Sequence, residues 1–594
     1  LGPQTAKTPS GCQRGKREDA VRQSDGFDAA ALACLNRFSP RWNVETQRSH
    51  SHRRLKPRGC DRTNPVRFAP IPPATRHRES GMTPPDYLLF CVFNSIPEGR
   101  MEQVKSVIVV GGGTAGFMAA LAVKMKLPAL AVTVVRSPEI GIIGVGEGSA
   151  PPFTRFLHQF LRIPIGDFVR ATRPGLKIGT CFLWGPQPRF FFPFGPHIAL
   201  KANDLPLPIG YYLAFGDSEA GTPLSAKMQA NRTFDFDPNN SLRLNDDFAY
   251  HVENDRFAAY LETSARLIGV EVIDGTIEAV RQDEHGITGL TLADGRSLAG
   301  DLYVDCSGFR SLLLGKTLGE LRVEYHRTLA CDRAVVGGWP RPAGLPMVGY
   351  TVAETMDSGW CWRIDHPDRI NRGYVYSSAF ISDDDAEQEL RQKNPAVGPT
   401  RVVKFVSGRY ARSWVKNVVA IGNASGFVEP LEATSLAITA SRCQLLAELL
   451  IDGDRRVAPT MVNLFNDNTA RIWDSIRDFL SLHYRFNTRL DTPFWRHCRE
   501  KTDMGDAQPT VDYYRHAGPS TTLACAFLDP GDVFSIASYY AILTGQRVPL
   551  DRPYQPTAAE LSIWDRFCKS NAAGAQSAAT VEQALAIIGG GRQI

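Results

Sequence analysis

No two cysteines in this chain are spaced as Cys-x-x-Cys, and its 12 Cys and 12 His never gather at metal-ligand spacing. Scattered singly, they exclude a disulfide framework and a structural zinc site, and they fit a reducing cytoplasm. No metal is expected. Long apolar runs are also missing. PDYLLFCVF, at 85–93, is the one apolar run of the N-terminal hundred residues, and it is far short of the ~20 residues of a membrane span. No internal repeat is present. A basic body for nucleic acid is missing too: the net charge is +5, but residues 1–100 hold 17 Lys/Arg against 9 Asp/Glu, which leaves the remainder slightly acidic.

That first segment is poor in apolar periodicity and rich in Pro, Arg and Ser, as in SHSHRRLKPRGCDRTNPVRFAPIPPATRHRES. Such a composition buries too little apolar surface to offset the entropy of ordering. Residues 1–100 are therefore expected to be a disordered or non-native extension, with Met101 (or Met82) as the natural start. The rest is ordinary for a globular enzyme, with 43% apolar and 22% charged residues over the chain. At 594 residues it is too long for one compact core.

What is present begins at KSVIVV (105–110), a β-branched run followed by GGGTAG (111–116) and then the helix formers FMAALAVKMK. Strand, tight turn and helix give the G-x-G-x-x-G arrangement. Gly111 permits the turn, Gly113 lets the backbone approach a pyrophosphate, and Gly116 allows close helix–strand packing. Gly112, Thr114 and Ala115 complete the loop, whose free N–H groups would receive the phosphates. ALAVTVVRS (129–137) is the next strand. There Arg136 replaces the acidic residue that usually binds ribose. It could pair with a phosphate or stack on adenine, and Ser137 follows it. A second glycine loop, GIIGVGEGS (141–149), carries Gly146 and Glu147.

Further on, 269–311 reads as successive short strands ending in DCSG, and 416–450 repeats strand, glycine turn (GNASG) and long helix. Two glycine cradles at opposite ends of the chain, plus the DCSG strand end, suit an extended dinucleotide such as FAD. Asn423 stands where flavoproteins usually have Asp, and its amide can still hydrogen-bond. Beyond residue 450 the pattern is mostly helical.

GGGTAGFMAA, IGVGEGSAPPF, LKIG…FLW (176–184), FFPFG, GWCWRI and GNASGFVEPLEATS, in this order, resemble the flavin-dependent halogenases known as the tryptophan halogenase family. The resemblance spans about 104–545. It implies an α/β FAD-binding Rossmann-type fold, like that of flavoprotein monooxygenases, with an inserted substrate lobe and a helical C-terminal region. The expected organisation is an FAD module over 101–445 with insertions at about 176–245 and 320–400. Residues 446–594 would then be mainly helical, completing the substrate pocket and ending in a disordered tail.

The same resemblance implies that FADH2 from a separate flavin reductase, O2 and halide (chloride or bromide) yield hypohalous acid. Lys177 would deliver it to an aromatic substrate and Glu432 would take the ring proton, with Glu429 as the rival carboxylate or else a first-turn helix-dipole residue. The N–H groups of Thr434 and Ser435 match the halide site, and Leu436 would pack on the flavin. In such enzymes the second glycine loop wraps the flavin side, which gives Gly146 and Glu147 a cofactor role. Glu147 would accept hydrogen bonds from loop N–H groups.

Trp360 and Trp362 match the tryptophans thought to separate substrate from flavin, or else they are core aromatics on a strand. Asp365 replaces the proline of that motif. Phe192 and Phe194 stand in the aromatic lid, which lacks the histidine of tryptophan-specific members, and Ala433 stands where those members have Ser. An electron-rich arene such as an indole is expected, not necessarily free tryptophan. A FAD-dependent hydroxylase and an inactive flavin-binding homologue remain as alternatives. Neither nucleic acid nor membrane is an expected partner, and a homodimer is left open.

Overall fold

The computed structural model describes residues 102–139, 146–202, 204–216, 219–520, 524–528 and 532–590. The N-terminal hundred residues and the whole GIIGV stretch (141–145) therefore lie outside the described residues.

Strand β1 (Ser106–Val110) runs into helix α1 (Thr114–Lys126) and then strand β2 (Ala131–Arg136). The chain returns to this sheet at β3 (Leu302–Asp305) and β4 (Val418–Ala420). With strands Glu271–Asp274 and Trp414–Val415 at its edges, the sheet order is Glu271–Asp274, β2, β1, β3, β4, Trp414–Val415. All pairings are parallel except the last. Such strands are covered on both faces, which is why SVIVV carries no polar alternation. α1 likewise buries eight consecutive residues, Gly116–Val123. Returning to one sheet after nearly two hundred residues, and again after another hundred, places the ends of β1, β3 and β4 side by side.

A seven-stranded, mostly antiparallel sheet fills the inserted region, with Gly179–Leu183 and Phe190–Pro193 at one edge beside Thr351–Met356 and Gly359–Asp365. After β4 come helix α2 (Ser435–Asp452) and helix α3 (Pro459–Phe486). Along α3, Phe465, Thr469, Ile472, Trp473, Ile476, Phe479, Leu480 and His483 recur at spacings of three and four and are buried. That stripe packs on the mixed sheet in a core containing Trp184, Phe192, Trp360, Trp362 and Leu431. No helix among the described residues is long and apolar enough to cross a membrane.

The expectation of a disordered tail needs correction. Helices Ala558–Gln576 and Val581–Gly589 each open with a capping box, Thr557/Glu560 and Thr580/Gln583. Val581, Ala584 and Ile588 are buried in the same core as Phe168 and Val169. Only 591–594 lie outside the described residues there.

Candidate active site

The first glycine loop has the geometry its sequence predicts. Gly111 has φ +120°, and a Cβ there would stand 2.3 Å from the Cys306 carbonyl oxygen. A Cβ on Gly116 would stand 1.8 Å from the Gly111 carbonyl oxygen, so only hydrogen lets α1 lie this close to the loop. At Gly113 a Cβ would meet nothing within 4 Å, so the loop faces open space. No side chain caps α1, its first turn holds no acidic residue, and the buried Thr114 Oγ1 has no partner. The turn at Gly422 (φ +68°) closes on the same place, since its Cβ would sit 2.9 Å from Ala115 Cβ. Half-buried Asn423 lies in that turn. The ends of β1, β3 and β4 therefore converge on the N-terminus of α1, with unsatisfied donors and room before them. These residues fit a dinucleotide.

Arg136 is already engaged. Its Nε donates to Asp274 Oδ1 at 2.6 Å and its Nη1 to Glu262, and these carboxylates hold the guanidinium pKa up. Two carboxylates neutralise the charge, which counts against phosphate pairing. The side-chain stem lies under the loop, 2.4 Å from where a Cβ on Gly112 would be. Ser137 Oγ and Thr276 Oγ1 share a 2.7 Å hydrogen bond.

The described end of the second glycine loop is buried under the inserted sheet. A Cβ on Gly146 (φ +74°) would stand 2.4 Å from Asn371 Nδ2 and 2.7 Å from His366 Nε2. Glu147 accepts from the side-chain amide of Asn254, a different donor from the loop N–H groups expected, and burial raises its pKa. A Cβ on Gly148 would meet Ala433 Cβ at 3.3 Å and Thr351 Oγ1 at 3.4 Å. The second loop thus touches the turn that precedes α2.

That turn holds both carboxylates. Pro430–Glu432 is a single 3-10 turn, and Ala433 follows in the left-handed region at φ +55°. A non-glycine residue there marks a turn fixed by its surroundings. Thr434 then caps α2, whose first turn has no acidic residue and no side-chain cap. Its free N–H groups and dipole suit an anion. Leu436 is buried beside them.

Glu432 is 5% exposed, and its Oε1 lies 2.8 Å from Nε2 of buried His483. Glu429 is fully buried and accepts from the Tyr484 hydroxyl, while its Oε2 has no hydrogen-bond partner within bonding geometry among the described residues, although Trp360 and Cys331 lie close to the carboxylate. Burial lifts the Glu429 pKa to about 7 against that hydrogen bond. Consecutive residues of α3 therefore hold the two carboxylates, one each. The helix-dipole role considered for Glu429 does not hold, because it precedes α2 by six residues and its partner is Tyr484.

Lys177 ends the short strand Gly175–Lys177, opposite Ala249, and is 1% exposed. Its Nζ lies 5.4 Å from the Phe194 ring centroid. Burial lowers its pKa to about 8, opposed by the charge of Glu432. Glu432, 255 residues further along the chain, is thus near enough for its charge to act on Lys177, although no ion pair within 4 Å joins them among the described residues.

Phe192 packs on Phe479, with ring centroids 6.4 Å apart, and borders a cavity of about 270 Å³ that Phe190, Ile198 and Ala541 also line. Trp360 and Trp362 are buried on one face of their strand, 6.1 Å apart, in the core with Phe182 and Tyr484. The pair is therefore packed as core aromatics on a strand, a placement compatible with a wall between flavin and substrate. Asp365, in place of the motif proline, is buried between Arg341 (3.0 Å) and Arg363 (2.9 Å).

His483 and Tyr484 escaped the sequence reading, which took the region beyond residue 450 only as mostly helical. The signal was His483's position on the buried stripe of α3. His251 and His366, both buried beside the second loop, were also missed; burial drives the pKa of each down.

The family model for tryptophan halogenase matches residues 106–562. Tryptophan 7-halogenase RebH of Lentzea aerocolonigenes is 31% identical over 77% of this chain and 93% of its own. Tryptophan 6-halogenase ThaL of Streptomyces albogriseolus is 32% identical over 70% and 83%. Among solved structures, MibH, a lanthipeptide tryptophan 5-halogenase, aligns with TM-score 0.75 and 36% identity over 82% of this chain and 94% of its own. BrvH, a flavin-dependent halogenase from Brevundimonas sp. BAL3, aligns with TM-score 0.72 and 31% identity over 82% and 99%. Matched over most of its described length in sequence and in fold, the chain belongs to the tryptophan halogenase family and is a flavin-dependent halogenase.

Proposed function

We propose that the protein uses FADH2, O2 and chloride or bromide to generate hypohalous acid, which Lys177 hands to an electron-rich arene such as an indole. The observation that carries this is the burial of Lys177 beside the Phe194 ring, with buried Glu432, on a separate element, as the carboxylate whose charge acts on it. FAD, reduced by a separate flavin reductase, supplies the oxidising chemistry when bound. The chain does the rest. Gly111–Gly116 and the Gly422–Ala424 turn hold the dinucleotide, with Gly146 and Glu147 on its flavin side, and the N–H groups of Thr434 and Ser435 hold the halide. Lys177, its pKa lowered to about 8, presents an amine that binds the hypohalous acid or exchanges N–H for N–halogen with loss of water. Once the ring carbon bonds halogen, its C–H bond breaks, the electron pair returns to the ring, and Glu432 accepts the proton. Phe192 and Phe194 offer faces for an arene. Trp360 and Trp362 form the wall that keeps it from the flavin.

Of the named relatives, RebH and ThaL are tryptophan halogenases by name, and MibH is a lanthipeptide tryptophan halogenase. Here Pro193 follows Phe192 in a lid without histidine, so an indole need not be free tryptophan. The test supplies FAD, a flavin reductase, NADH and bromide or chloride with an indole panel, and reads products by mass spectrometry. Halogenated product that vanishes without halide supports the reading. Hydroxylated product with or without halide would overturn it.

A further inference from the structure

We propose that His483 is the positioning residue of Glu432: a neutral imidazole whose Nε2–H fixes one carboxylate oxygen and aims the other at the substrate. The inference rests on Glu432 being the proton acceptor proposed above. His483 is fully buried, with Nε2 2.8 Å from Glu432 Oε1. Its Nδ1 is also buried and has no hydrogen-bond partner among the described residues. The ring is enclosed by Phe182 and Phe479, each 5.3 Å away between centroids, and by Trp184, whose Nε1 donates to the His483 carbonyl.

The tautomer follows from this enclosure. A carboxylate can only accept, so Nε2 carries the hydrogen. An imidazolium would leave a second N–H buried among aromatic rings without an acceptor, whereas a bare Nδ1 lone pair leaves no donor unsatisfied. With Oε1 so occupied, Oε2 has no protein hydrogen bond among the described residues, and it is the oxygen left to take a proton. Position 483 is set by the buried stripe of α3, and Trp184 fixes the backbone there. The ring thus stops the carboxylate from rotating at the end of a single turn.

The test has two arms. Protein labelled with 15N at histidine, with His483 assigned by its loss in H483Q, is expected to show the Nε2–H tautomer, displaced in E432Q. An Nδ1–H tautomer, or an imidazolium at neutral pH, would overturn the proposal whatever the activity. The second arm compares H483Q, whose amide nitrogen can replace Nε2–H, with H483F, which offers no donor. Halogenation in a single turnover should fall about 10- to 100-fold in H483F, the loss of one hydrogen bond to a charged group. H483Q should restore it to within about threefold of wild type. An arene deuterated at the halogenated carbon should show a larger isotope effect with H483F than with wild type, because proton removal has become slow. A merely structural role would not move that ratio. Equal loss in both variants with unchanged isotope effect, or full activity in H483F, would refute the proposal. Absence of halogenated product from wild type would instead strike the proposed function, and the tautomer arm would still decide the role of His483.

Discussion

Replacing Glu429 by Gln should reverse the order of stability between variant and wild type as pH rises. Burial holds the Glu429 carboxyl at about 7, whereas an unfolded glutamate titrates near about 4.3. Between these values the folded chain binds the proton and the unfolded chain does not. The group's stabilising contribution is therefore complete below about pH 4.3 and is lost as pH rises through 7. A difference of that size amounts to about 3–4 kcal/mol at about 1.36 per pH unit. Gln keeps an oxygen for the Tyr484 hydroxyl and never ionises, so it escapes this loss. Its new NH2 group replaces an Oε2 that has no hydrogen-bond partner among the described residues, which costs about 1–3 kcal/mol at every pH. Wild type should thus be the more stable at pH 4.5, and E429Q equal or more stable at pH 8.5. Urea unfolding followed by far-UV circular dichroism at both pH values, at constant ionic strength, measures the gap, and other titrating groups cancel in the comparison. A gap that stays constant with pH would refute the reasoning, because Glu429 would then not carry a raised pKa.

E432Q should retain flavin and lose halogenation by about 10²–10⁴-fold, the usual contribution of a general base, while E429Q remains substantially active; product per turnover at equal flavin loading checks the ranking, and the reverse order would make Glu429 the base. Two alanine substitutions in the first loop should part company. G116A places a methyl against the Gly111 carbonyl and should destabilise the fold by about 1–3 kcal/mol, seen as a lower urea midpoint. G113A meets nothing in the protein, so its unfolding should match wild type while flavin affinity falls, as titration calorimetry would report.

The nucleotide half of the molecule was legible because each glycine has one backbone reason to be there. Gly111 and Gly116 take the turn and the close helix packing that their spacing predicts, Gly113 faces open space, and the strand–turn–helix grammar recurs at GNASG. The catalytic half was legible only in part. Lys177 and Glu432 were read through the family resemblance of LKIG and FVEPLEATS rather than from local pattern. Their partners were not, because His483 and Tyr484 reach the carboxylates through tertiary packing of α3, and no local pattern distinguishes a stripe histidine that meets an acid from one that meets a phenylalanine. Arg136 shows the same limit. Its departure from the usual acidic residue was plain, but Glu262 and Asp274, more than a hundred residues away, absorb its charge. Glu429 looked like a helix-start residue until its burial against Tyr484 was seen.

The central claim is that oxidant is made at the flavin and used at a separate lysine. K177A tests it most directly, with oxygen consumption by reduced flavin and halogenated product measured together in the presence of FAD, a flavin reductase, halide and an indole. The account predicts bound FAD, continued oxygen consumption and no halogenated product. Halogenated product at the wild-type rate would contradict it, showing that Lys177 only fills space or that free hypohalous acid does the work.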